Sequence, residues 1–300
     1  MSRLHLAGII PVSGLKTDFD IDTPEVLLPI DAGFTAIQKS VYECALAGCN
    51  TIWIVANQDL APIVRHRVGE WTYDPVYFNR WQYGEGSENR REIPIYYAPI
   101  HPKDIDRRDS YGWSVLNGIY TSWRVANHIS KWLIPDKYFI SFPMTAYDIS
   151  IIRKNRKLIN NPDSNFFLSY KKKTVAKNIP LPFTMRGEDY IACRRDVNQK
   201  TTKSYYNTEA GEQYPTRKLP LNERWSAKNF SLSEVFEKLK VPKSSKLEVD
   251  WFYDLSSWEG YREYISSDFL IKKPHEVLTK PHTHDKIPYT IHQEGTNESD

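Results

Sequence analysis

The first 56 residues spell an apolar run, a turn, an amphipathic stretch and a second apolar run, and few architectures accept that order. Leu6 to Val12 is short and apolar and is followed by Ser13-Gly14, which fits a buried strand ending in a tight turn. From Phe34 to Ala47, Ile37, Val41 and Ala45 recur at four-residue intervals with Cys44 on the same face, while Gln38, Lys39 and Glu43 lie off it. Gly48 marks the stop of that predicted helix. Thr51 to Ala56 is β-rich and almost wholly apolar, as expected of a strand covered on both faces. Strand, helix and strand in this order predict a right-handed parallel crossover.

The alternation continues. Ile93 to Ala98 reads as a strand, Trp113 to Ser130 as a helix, and Tyr138 to Phe142 as a further strand. Ser231-Leu232-Ser233-Glu234 spells a capping box, after which Val235, Phe236 and Leu239 share a helical face. A strand from Leu247 to Tyr253 and a helix from Glu259 to Ser266 close the pattern, with Ser256 and Glu259 as a second box. Residues 73–92, with Gly84 and Gly86, and the polar, Lys-rich residues 153–224 break it and read as insertions outside the central sheet. The expectation is one α/β domain over residues 1–270 and a polar tail over 271–300.

Charge and cysteine usage narrow the function classes. Lys and Arg total 40 against 37 Asp and Glu, a formal net charge of +3, so bulk charge gives no reason to expect nucleic acid or a membrane as partner. Cys44, Cys49 and Cys193 are too few for a disulfide framework or a closed zinc site, so reduced thiols and a cytoplasmic location are expected. No stretch reaches the ~18 apolar residues of a membrane span, and the start does not read as a signal peptide.

Ile9-Ile10-Pro11-Val12-Ser13-Gly14-Leu15-Lys16-Thr17-Asp18, Thr23-Pro24-Glu25-Val26-Leu27-Leu28-Pro29-Ile30, the helix end Glu43 to Gly48 and the strand Ile52 to Ala56 resemble the sugar-1-phosphate nucleotidyltransferases, of the UTP–glucose-1-phosphate uridylyltransferase type. Trp251-Phe252-Tyr253-Asp254-Leu255-Ser256-Ser257 with Tyr261 resembles a later segment of that family. The resemblance implies a Rossmann-like three-layer α/β sandwich of the nucleotidyltransferase (GT-A) type. It also implies attack by a sugar phosphate on the α-phosphorus of a nucleoside triphosphate, a reaction that depends on cations placed around phosphate oxygens. Backbone at Val12, Ser13 and Gly14 matches the family's nucleoside cradle, to which Gly112 and Ser114 correspond further along.

The departures concern charge. The family's loop arginine position holds Asp18, its lysine position holds Glu25, and its second loop glycine is Lys16. The first of its two Mg²⁺ carboxylates is replaced by Met144, which offers no oxygen donor, and only Asp254 remains, either to ligate metal or to cap the segment after it. Placing a unit charge about 4 Å from another is worth about 4 kcal/mol at an effective dielectric of about 20, so each reversal repels a triphosphate. The expectation is a relative that has lost standard catalysis and acts by binding a nucleotide or sugar phosphate, or protein partners including a second copy of itself. The alternative is an active enzyme, with Mg²⁺, whose cations are relocated to Lys16 and the basic segment Arg153 to Lys173.

Other signals are short. Asp18, Asp20, Asp22 and Glu25 form an acidic loop that lacks the spacing of an EF-hand. Asp104-x-Asp106 has the spelling of a glycosyltransferase metal motif in the wrong place, and His275, His282, His284 and His292 sit in the tail.

Overall fold

The computed structural model describes residues 4–21, 23–76, 91–201, 205–206, 208, 211, 213–221, 223–224, 226–242 and 246–274. Asp22, Gly84, Gly86, the Asp106 side chain and the four tail histidines lie outside them.

All six residues of strand β1 (Leu6–Pro11) are buried. A short antiparallel pair, β2 (Pro29–Asp31) and β3 (Phe34–Thr35), leads into a helix over Ala36–Ala47, whose start is fixed where the Thr35 N–H donates to Gln38 Oε1 at 3.1 Å. Next come β4 (Thr51–Ala56), a helix over Ala61–Val68, β5 (Trp71–Tyr73) and β6 (Glu92–Pro99). The Tyr111–Ile129 helix precedes β7 (Lys137–Ile140) and β8 (Thr145–Ala146). The remaining strands are β9 (Phe167–Ser169), β10 (Phe183–Arg186), β11 (Lys246–Glu248) and β12 (Tyr253–Asp254), and a helix covers Trp258–Ile265.

Eight strands form one sheet in the order β11-β9-β10-β7-β1-β4-β6-β5. Its centre is parallel: Ala7 of β1 lies opposite Thr51 of β4 and Tyr138 of β7, and β4 pairs with β6 in the same sense. Strands β10 and β5 run antiparallel to their neighbours. The continuous apolar strands follow from burial on both faces. Leu6, Ile10, Ile52 and Ile54 pack on the side of the Ala36–Ala47 helix, while Ile9, Val55 and Trp53 pack with Trp113, Leu116 and Ile119 of the Tyr111–Ile129 helix. That second helix approaches so closely that a methyl on Gly118 would lie 2.7 Å from Val55 Cγ2 and 2.8 Å from Ile9 Cγ2.

The predicted core units are present with ends shifted by a residue or two, except that the helix expected to carry Val235, Phe236 and Leu239 on one face spans only Leu232–Val235. Three expectations need correction. Residues 153–224 do not all lie outside the sheet, because β9 and β10 are members of it, lined by the buried Phe167 and Phe183, whose rings stack 6.0 Å apart. The single strand expected over Leu247 to Tyr253 is two strands in different sheets, since after Val249 the chain leaves β9 and pairs β12 with β8 instead. Lys39 and Glu43, placed off the apolar face, are both fully buried. Among the described residues, no helix is long and apolar enough to cross a membrane.

Candidate functional site

Two hollows of about 270 and 220 Å³ open where β1, β4 and β7 end, and Gly14, Leu15 and Lys16 line both. The carboxyl ends of parallel strands are where open α/β sheets bind ligands, because the connecting loops diverge there. The dividing turn is held by three hydrogen bonds. The N–H groups of Val12 and Ser13 donate to the Val55 carbonyl at 2.9 and 3.0 Å, and Ser114 Oγ donates to the Ser13 carbonyl at 2.7 Å. Gly14 has φ 71°, and a Cβ there would lie 2.5 Å from the Ser110 carbonyl carbon, so both the backbone conformation and the space require glycine.

Of the five residues expected to cradle a nucleoside, Val12, Ser13 and Gly14 line the cleft. Gly112 and Ser114 stand behind it. Ser114 is fully buried as a brace, and Gly112 lets Val235 approach to 2.8 Å from where a Cβ would be.

The two reversed charges have structural partners. Asp18 Oδ1 accepts the Trp258 N–H at 2.6 Å, at the first turn of the Trp258–Ile265 helix, where the helix dipole favours an anion. Glu25 Oε1 accepts from Thr17 Oγ1 at 2.6 Å and lines the smaller hollow.

Met144 and Asp254 come together in the wall of the larger hollow, because β12 pairs with β8 and the Leu255 N–H donates to the Met144 carbonyl at 3.0 Å. Asp254 Oδ1 accepts the Ser256 N–H at 3.0 Å and its hydroxyl at 2.6 Å, an Asx-turn arrangement. Ser256 is therefore not the cap of the following helix. Ser257 is, accepting the Gly260 N–H at 3.1 Å.

The loop carrying Met144 is anchored from beneath. Lys39 Nζ donates to the carbonyls of Phe142 and Thr145 at 3.1 and 2.7 Å and pairs with Glu43 at 3.2 Å, while Ser141 Oγ donates to the other Glu43 oxygen at 2.5 Å. Burial pulls the Lys39 ammonium below its ordinary range, and the Glu43 carboxylate opposes that pull.

Lys16 lines both hollows and comes within 3.4 Å of Asn229 Oδ1, and Lys228 lines the smaller one. Lys228 carries no local sequence signal, since it reaches the site from a loop more than two hundred residues after the turn. The basic segment is elsewhere, and none of residues 153–173 is among those lining the hollows. Its Arg156 is engaged with the buried Asp74 carboxylate at 2.9 and 2.5 Å. Tyr111 is a further wall residue that sequence reasoning passed over. Its hydroxyl is buried with no hydrogen-bond partner among the described residues, and burial together with the Asp254 charge pushes it well above its ordinary pKa.

The fold can be compared with known proteins on this geometry. One similar solved structure, from Bacillus anthracis and described as a glucose-1-phosphate thymidylyltransferase in complex with a sucrose, matches 89% of this chain and 98% of its own, at 11% identity and a TM-score of 0.50. The chain has a sugar-1-phosphate nucleotidyltransferase-like fold. A UDP-glucose pyrophosphorylase complexed with UDP-glucose covers 87% of this chain and 97% of its own at 12% identity, with a TM-score of 0.48. No family model matches the sequence, and no curated protein matches it. The mixed α/β architecture with a parallel-dominated central sheet agrees with the expectation drawn from the first sixty residues.

Proposed function

We propose that this chain binds a nucleotide or sugar phosphate in the cleft at the ends of β1, β4 and β7 and does not perform standard nucleotidyl transfer. One observation carries this reading: Met144 and Asp254 lie side by side in the lining of the larger hollow, which Lys16 also lines. Lysine side chains at a concave rim attract phosphate, and a thioether at the wall cannot hold the metal that the transfer uses. The donor set does not fit a two-carboxylate Mg²⁺ site. Asp254 is a single carboxylate with one oxygen already serving Ser256, and among the described residues no three acidic, His or Cys side chains gather to hold a metal.

A second reading, an active enzyme with relocated cations, draws on the joint presence of Lys16 and Lys228 at the smaller hollow. It loses its other expected source of charge, because Arg153 to Lys173 do not reach the cleft. The test is binding itself. Thermal melting with a panel of nucleoside diphosphates, triphosphates and sugar phosphates should show stabilisation by at least one ligand, weakened in Lys16→Met and in Lys228→Met. Unchanged melting with every ligand would overturn the binding reading and leave assembly with a protein partner or a second copy as the role.

A further inference from the structure

The geometry points to guanine as the base of the nucleotide held in the smaller hollow, with Asp109 as the residue that selects it. The inference rests on the proposed reading of the cleft as a nucleotide site.

The lining of that hollow sets acceptors, the carboxylates of Asp109 and Glu25 and the Asn57 side-chain oxygen, beside the donors of Lys16, Lys228 and the Asn57 amide. Ser13, only 1% exposed, has its hydroxyl against two oxygens, Asp109 Oδ1 at 3.0 Å and Asn57 Oδ1. A hydroxyl has one proton, so it satisfies one of the two and leaves the other short. Among the described residues no group other than the Ser13 hydroxyl donates to the Asp109 carboxylate, a residue of the lining, which leaves its second oxygen and one lone pair of Oδ1 without a donor. Glu25 adds another carboxylate to the same lining. The cations, Lys16 and Lys228, are exposed rather than set in the floor. Apolar surface for a ring is supplied by Val12, Val26 and Leu60.

An acceptor pair of this kind selects bases by their donors. Guanine presents N1–H and the N2 amino group side by side, so one carboxylate accepts from both. Uracil and thymine present a single N3–H between two carbonyl oxygens, which a carboxylate repels. Adenine and cytosine present an amino group beside a ring-nitrogen acceptor, and the second carboxylate oxygen then faces a lone pair. A site built to accept two hydrogen bonds rejects a ligand that cannot supply them, because its polar groups stay unpaired.

Calorimetric titration of the full chain with GDP, IDP, UDP, ADP and CDP tests this directly. GDP should bind about tenfold or more tighter than UDP, and IDP, which lacks only the N2 amino group, about tenfold weaker than GDP. Asp109→Asn should bring GDP to within about threefold of UDP, by weakening GDP and by relieving the repulsion of the uracil carbonyls, so that UDP binds at least as well as to the native chain. If that variant fails to fold, the GDP-to-IDP ratio of the native chain decides the matter without it. Binding of UDP, ADP or CDP as tight as GDP, or of IDP as tight as GDP, overturns guanine selection and leaves the nucleotide-binding reading standing. Absence of binding by all five diphosphates overturns guanine selection, and the nucleotide-binding reading fails separately only if the triphosphates and sugar phosphates are also without effect.

Discussion

The Trp258 backbone N–H donates to Asp18 Oδ1 at 2.6 Å, so the carboxylate at the position that matches the family's loop arginine ties the β1 loop to the last helix. The Asp18 N–H returns a bond to the Ser256 carbonyl at 3.3 Å, which makes the link reciprocal. Asp18 is a helix-end acceptor, and its loss should read out in stability before it reads out in binding.

Asp18→Ala removes an acceptor from a helix first turn, a change worth about 1 kcal/mol, and should lower Tm by about 2–4 °C in calorimetry. Asp18→Arg combined with Glu25→Lys should show the same loss of stability together with a gain in nucleotide affinity, because the charge at position 25 then lines the smaller hollow as a cation. A double variant with no gain in affinity would contradict the placement of Glu25 at the ligand.

Lys39→Met strands the Glu43 carboxylate in a fully buried setting and removes three bonds from the loop that carries Met144. Breaking one member of a buried ion pair costs about 3–5 kcal/mol. Urea denaturation should show a loss of that order, and Lys39→Met with Glu43→Leu should recover part of it. A loss below about 1 kcal/mol in the single variant would contradict the pair's anchoring role.

Lys137 is 1% exposed and its Nζ donates to the carbonyls of Ile159, Asn161 and Ser164 at 2.8, 2.9 and 2.7 Å. Burial, assisted by the nearby Arg186 charge, lowers its pKa from 10.5 to about 8. The unfolded chain then binds more protons than the folded one between those two values, so this group's contribution to stability rises as pH increases from about 8 to 10.5. The stability of the native chain minus that of Lys137→Met should climb across that window in denaturant titrations. A flat difference would show that the three carbonyls hold the ammonium at its ordinary pKa.

Met144→Asp places a carboxylate beside Asp254 at a position 2% exposed. In chelator it should destabilise the chain by about 1–3 kcal/mol, and millimolar Mg²⁺ should restore much of that loss. The native chain should melt at the same temperature with and without Mg²⁺. Mg²⁺-dependent melting of the native chain would contradict the misfit of its donor set.

Local pattern exposed the centre of this fold and concealed its edges. β1, the Ser13-Gly14 turn, the Ala36–Ala47 helix and β4 are contiguous in sequence and packed on each other, so periodicity and turn chemistry suffice to read them. β9 and β10 hold three and four residues, too few for a period to emerge from their polar surroundings. Lys39 and Glu43 look like solvated residues because the groups that satisfy them, the Phe142 and Thr145 carbonyls and Ser141, lie about a hundred residues later. Asp18 and Glu25 were legible as acidic residues in the loop, but not their employment, since Asp18 meets Trp258 only once the chain has folded back across 240 positions. Lys228 escaped for the same reason.

Pyrophosphate release is the measurement closest to the central claim. With Mg²⁺, a panel of nucleoside triphosphates and a panel of sugar 1-phosphates, the purified chain should bind nucleotide and release no pyrophosphate above the uncatalysed background. Pyrophosphate appearing at rates ordinary for an enzyme, about 1 s⁻¹ or faster, and abolished by Lys16→Met, would contradict it.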